Sequence, residues 1–241
     1  GLNYKDVFSN KLEFQLSSKI RNLAVPGYGT VQSLKILENN IESEKIIIYG
    51  FIEDHLRRNV TKCAPSDGIY CIHIPVAKLD RDKKISITDE IKINNFDLNQ
   101  VYQERLTARD YFQLKDFFYG FKYMKHSLYK RLGFYQDKYS QDEKLYILKI
   151  LLEKMLQITN QKNSNLIFVN LDLNPSSKKI FNKISKMNFN KGIYFLDASP
   201  NLNEGIDLSK LIIQFDGHPN EKGNDYFAKK IFDFIKKHNL K

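Results

Sequence analysis

Three short stretches carry residue types that could do chemistry together. In "FDGHPNEKGNDYFAKKI", Asp216 precedes His218 by two residues. A carboxylate at that spacing can accept a hydrogen bond from an imidazole Nδ1–H. That fixes the tautomer and leaves Nε2 to take a nucleophile's proton. The same residues also suit a plain helix start, with Asp216 in a turn and His218 as a cap. In "YGFIEDHLRRN", His55, Arg57, Arg58 and Asn59 follow an apolar run and could bind or polarise a substrate. A salt-bridged helix start would use the same residues. In "NLAVPGYGT", Gly27 and Gly29 follow another apolar run. Glycine there lets a substrate approach the backbone and frees an amide as an oxyanion donor. Pro-Gly and Gly-x-Gly are also ordinary turn signals.

The surrounding pattern predicts what must hold these stretches. Lys5–Ser18 reads as a helix, "IRNLAVPGYGT" as a strand ending in a tight loop, and Val31–Asn39 as a helix. "EKIIIYGF" is a continuous β-branched run, expected of a strand buried on both faces of a parallel sheet. From Glu53 to about Tyr139 the chain is irregular. That stretch holds a cysteine loop, a hairpin within "CIHIPVAKLDRDKKISITDEIKI" and an aromatic-rich helical segment, and reads as an insertion or lid at about residues 60–140. Regular alternation then resumes. Gln141–Gln161, Pro175–Met187 and Asn220–His238 read as helices, with "NLIFVNLDL" and "GIYFLDAS" as strands between them. Strands alternating with helices predict a single α/β sandwich domain with a parallel sheet. Active sites in such sheets gather at the carboxyl ends of the strands, where all three stretches fall.

Composition narrows the classes. With 42% apolar residues in 241, the chain can bury a core, and no apolar run is long enough to span a membrane. Its net charge of +10 is spread along most of the chain, with denser stretches at Lys122–Arg131 and Lys229–Lys241. A nucleic-acid interface usually gathers such charge on one face, so nucleic acid is not an expected partner. Cys63 and Cys71, in "KCAPSDGIYC", could close a turn-rich loop as a disulfide, which suits an exported protein. Two buried free thiols in a cytosolic protein would leave the same trace. No local set of four ligands suggests a metal site.

Taken together, "RNLAVPGYGTVQ", "IIIYGFIEDHLRRN" and "FDGHPNEKGNDYFAKKI" resemble blocks two, three and five of the SGNH/GDSL hydrolases, in order and spacing. The resemblance covers most of the chain outside the insertion. It implies a three-layer α/β/α sandwich with a mostly parallel, flavodoxin-like sheet of five strands. It also implies hydrolysis or transfer of an acyl or acetyl ester, on a carbohydrate or lipid, by a Ser-His-Asp triad without cofactor. By that motif His218 is the general base, Asp216 its orienter and Gly27 an oxyanion donor. Gly29, His55 and Asn59 are substrate-binding candidates beside them. The cysteine pair resembles an exported branch of the same superfamily.

Two features depart from the pattern. The third block usually carries an Asn that stabilises the oxyanion, whereas Gly50-Phe51-Ile52-Glu53-Asp54 has none. Nor does the chain contain Gly-Asp-Ser, and nothing around Ser33 or Ser66 resembles a nucleophile turn. In the family, a segment like "GLNYKDVFSNKLEFQL" directly follows that motif. The expectation is therefore a first strand and a nucleophilic serine upstream of residue 1. The alternative is a non-catalytic module of the same fold that binds a glycan, lipid or protein through the aromatic-rich insertion.

Overall fold

A computed structural model describes residues 4–25, 27–60, 63–66, 70–73, 75–88, 139–189, 192–201, 205–214 and 217–240, with backbone alone at 4, 63–66, 70–73 and 88. Three parallel strands form the centre: β1 (Ile46–Phe51), β6 (Asn165–Asn170) and β7 (Ile193–Asp197), in the order β1-β6-β7. Their register is continuous, with Tyr49 beside Phe168 and Phe168 beside Phe195. The helices are α1 (Phe8–Leu16), α2 (Thr30–Asn40), the single turn α3 (His55–Arg58), α4 (Gln141–Gln161), α5 (Ser177–Ser185) and α6 (Glu221–Lys237).

Side-chain alternation along the strands explains the three layers. Tyr49, Phe51, Leu166 and Phe168 point to one face and pack with Val31 and Leu34 of α2, Leu148 and Leu152 of α4, and Phe181 of α5. Phe168 anchors that face, stacked on Phe181 at a centroid distance of 5.6 Å and tilted against Phe51 at 5.1 Å. Ile167 and Val169 point the other way, onto Leu12 of α1 and Phe227, Ala228 and Ile231 of α6. The chain is thus an open α/β/α sandwich, as the alternation of elements predicts.

The hairpin expected after the cysteines is present as β4 (Val76–Leu79) and β5 (Ile85–Thr88), paired antiparallel. β2 (Cys63–Ser66) and β3 (Tyr70–His73) form a second antiparallel pair. Its register sets Cys63 opposite His73 and Cys71 opposite Pro65, so the cysteines are diagonal neighbours; their side chains lie outside the described residues. The insertion's aromatic-rich segment also lies outside them.

One expected element is not formed. The apolar run Ile20–Val25 is predicted as a strand but has no ladder partner among the described residues. A strand is defined by its neighbour. Among the described residues, β1 is paired only with β6, and its other edge is open. Local bonds hold the run instead: Ile20 N donates to Glu13 Oε2 at 2.7 Å, and Asn22 Nδ2 donates to Ser9 Oγ at 3.1 Å.

Candidate active site

The last stretch folds into a tight loop that feeds α6. Ile212 bridges Pro219, Ile213 N donates to the His218 carbonyl at 2.8 Å, and Gly217 takes a φ of 77° that suits glycine. Asn220 is the N-cap: its Oδ1 accepts from Gly223 N at 3.0 Å, while its Nδ2 donates to the Lys210 and Ile212 carbonyls. Gly223 has a packing reason, since a Cβ there would lie 2.4 Å from the Leu211 carbonyl oxygen. These contacts leave His218 exposed on the loop. Asp216 lies outside the described residues.

Asn224 carries this loop's position to the start of the chain. Its Oδ1 accepts from Phe8 N at 2.9 Å, satisfying a first-turn amide of α1, and its Nδ2 donates to the Pro219 carbonyl at 3.3 Å. Lys11 adds an ion pair to Asp225 at 2.6 Å, whose hydrogen bond outweighs desolvation and raises the lysine's pKa. In the same turn of α1, the buried Ser9 accepts from Asn22. Hence α1's first turn is bonded on one side to the segment leading to Gly27 and on the other to the residues following His218.

Gly27 sits in a turn closed by Tyr28 N donating to the Val25 carbonyl at 3.2 Å, with a φ of 84°. Gly29 is buried where α2 begins, and a Cβ there would meet Arg58 Cβ at 2.9 Å and Asn59 Oδ1 at 3.0 Å. Its absence of a side chain therefore serves packing of α2 on α3. Asn59 is fully buried, and its Oδ1 accepts from the amides of Thr30 at 2.7 Å and Val31 at 3.2 Å. Its Nδ2 donates to Thr30 Oγ1 at 3.0 Å, so the whole amide group is engaged with the start of α2.

His55 belongs to the same knot. Its Nδ1 lies 2.8 Å from the hydroxyl of the buried Tyr49, which in turn donates to Thr30 Oγ1 at 2.8 Å. Desolvation, with Arg58 nearby, pushes the imidazole pKa down to about 3, so His55 is neutral near pH 7. Burial also raises the Tyr49 pKa. Burial works to raise the Asp54 pKa too, but Arg57 and Arg58 outweigh it and hold the carboxyl below its usual range. Of the residues expected near a substrate, Gly29 and Asn59 are thus closed inside the fold and His55 is half-buried against it.

A cleft of about 410 Å³ opens at the carboxyl ends of β1 and β6, lined by Glu53, Arg57, Lys144, Asp172, Asn174 and Ser176, among others. Glu53 N donates to Asp172 Oδ2 at 3.0 Å across the two strand ends. Beside it, buried Asn170 donates from Nδ2 to Asp197 Oδ1 at 2.9 Å, and Ser199 Oγ donates to the same oxygen at 2.6 Å. Sequence reasoning missed this polar rim. Its signal is the Asn that closes "NLIFVN" and the Asp that closes "IYFLD", polar residues ending apolar runs. Among the described residues no cluster of His, Cys, Asp or Glu could hold a metal ion, and no helix is long and apolar enough to cross a membrane.

The fold and site define an open α/β sandwich with a histidine loop and a glycine loop joined through the first helix. No family model matches the chain, and comparison with curated proteins and solved structures finds no match either.

Proposed function

We propose that this chain is the body of an SGNH-type serine esterase or O-acyltransferase acting on acyl or acetyl esters. His218 is the general base, Asp216 its orienter and the Gly27 amide an oxyanion donor. The serine comes from a segment upstream of residue 1, on a strand that pairs with the open edge of β1. The observation that carries the reading is the double attachment of α1: its first turn is bonded to the Gly27 segment through Asn22 and to the His218 segment through Asn224. This supports the reading because a nucleophile upstream of residue 1 would lead through residues 1–7 into a helix tied to both segments, the one with the base and the one with the oxyanion donor that acyl transfer requires. Asn59 does not take the oxyanion role in this reading, because both ends of its amide are engaged at the start of α2.

The test uses the full coding chain with its upstream segment. Labelling with a fluorophosphonate and mapping the adduct should give modification of a serine upstream of Gly1, lost in His218→Ala. An unlabelled protein, with ester turnover unchanged in His218→Ala, would overturn the reading and leave the non-catalytic binding module in its place.

A further inference from the structure

We infer that Arg58 and Asn59 are positioning residues for the Gly27 amide. The inference rests on the hydrolase reading above and deepens it. Four of the five successive amides from Gly27 to Val31 are occupied within the molecule. Tyr28 N donates to the Val25 carbonyl, Gly29 N to Gln32 Oε1 at 2.7 Å, and the Thr30 and Val31 amides to Asn59 Oδ1. The Gly27 amide alone has no acceptor among the described residues. An isolated donor in a saturated loop is useful only if the loop cannot turn it away.

The third block prevents that. Arg58 Nη1 donates to the Tyr28 carbonyl at 3.0 Å, fixing the peptide plane that follows the Tyr28 Cα. The guanidinium is itself held, with Nε donating to Asp54 Oδ2 at 2.7 Å. Asn59 fixes the next two amides, and Gly29 lies against both residues with no room for a side chain. Gln32 closes the far side, its Nε2 donating to the Pro75 carbonyl. Arg58 and Asn59 thus act on a substrate through the glycine turn, without touching it. In a fixed turn the donor needs no reorganisation as charge develops on a substrate oxygen, whereas a misplacement of about 1 Å can cost on the order of 100-fold.

The experiment compares the full chain with Arg58→Met and Arg58→Lys, using p-nitrophenyl acetate and residue-resolved amide exchange. Arg58→Met should lower kcat roughly 10- to 100-fold with KM within about twofold, and Arg58→Lys should recover part of the loss. In the wild type, Gly27 should exchange fast while Tyr28, Thr30 and Val31 are protected. Arg58→Met should speed exchange at Tyr28 and leave the interior of α4 unchanged. The inference falls if Gly27 is as protected as its neighbours, or if Arg58→Met keeps the wild-type kcat. If the wild type hydrolyses no ester probe, the hydrolase reading falls, and the exchange data decide the clamp alone: unaltered Tyr28 exchange in Arg58→Met overturns it.

Discussion

His55 and His218 follow sequence signals of the same kind, yet the fold treats them in opposite ways. His55 stands against Tyr49 and Phe51, kept neutral, in a knot that joins β1, α2 and α3. His218 stands on an exposed loop that Asn220, Gly223 and Asn224 hold from below. In the first region the polar residues are the structural material. In the second, the polar residues around the histidine are structural and the histidine is presented outward. The number of polar residues in a motif therefore says little about where a ligand goes. How the fold packs each of them says much more.

The sharpest way to break this contrast is His218→Ala. It should change stability by less than about 0.5 kcal/mol, as a surface substitution, and, on the proposed hydrolase reading, reduce ester turnover by about 1,000-fold or more. Chemical denaturation beside steady-state kinetics would read both, and a large loss of stability would erase the distinction. The opposite variant, Asn59→Ala, should destabilise by about 2–3 kcal/mol, because it removes the cap of α2 and leaves buried amides without an acceptor. Calorimetry should show Tm lowered by about 5–10 °C for a chain of this size.

Lower pH reads the environment of His55. The folded-state pKa of His55 is about 3 against an ordinary 6.5, so the unfolded chain binds the extra proton first. The contribution is fully present above about pH 6.5 and is lost progressively as pH falls toward 3. Urea titrations at about pH 7 and pH 4.5 should show a loss that shrinks in His55→Gln. The smallest effects separate the two glycine turns. Gly29→Ala should cost about 1–2 kcal/mol through its contacts with Arg58 and Asn59. Gly217→Ala, with open space around its Cβ position, should cost about 1 kcal/mol through backbone conformation alone. Equal stability of Gly29→Ala and wild type would show that α2 and α3 can move apart.

Much of the framework was legible because it is local. α4 follows the spacing of Leu145, Leu148, Leu152 and Met155, and its start is marked by the capping box of Ser140 and Glu143. The strand run Ile46–Phe51 and the Asn220 start of α6 are similarly written in adjacent residues. The segment Ile20–Val25 misled because apolar composition describes a strand's side chains, whereas its existence depends on a neighbour far away in sequence. The roles of His55 and Asn59 were hidden for the same reason: their partners, Thr30 and Tyr49, are supplied by other elements. His218 remains the candidate the sequence pointed to, and the reasons for Asn220, Gly223 and Asn224 around it appear only in three dimensions.

The bond from Phe8 to Asn224 spans 216 positions of sequence. One face of the sheet is covered by α2, α4 and α5, all made before residue 186, whereas the other needs α1 together with α6. During synthesis the first face can close while the second still exposes Ile167 and Val169. That second face, and with it the His218 loop, is completed only once residues 221–237 have left the ribosome. A product truncated before α6 would therefore keep a folded half and a sticky one, and any chemistry at His218 is withheld until α6 arrives.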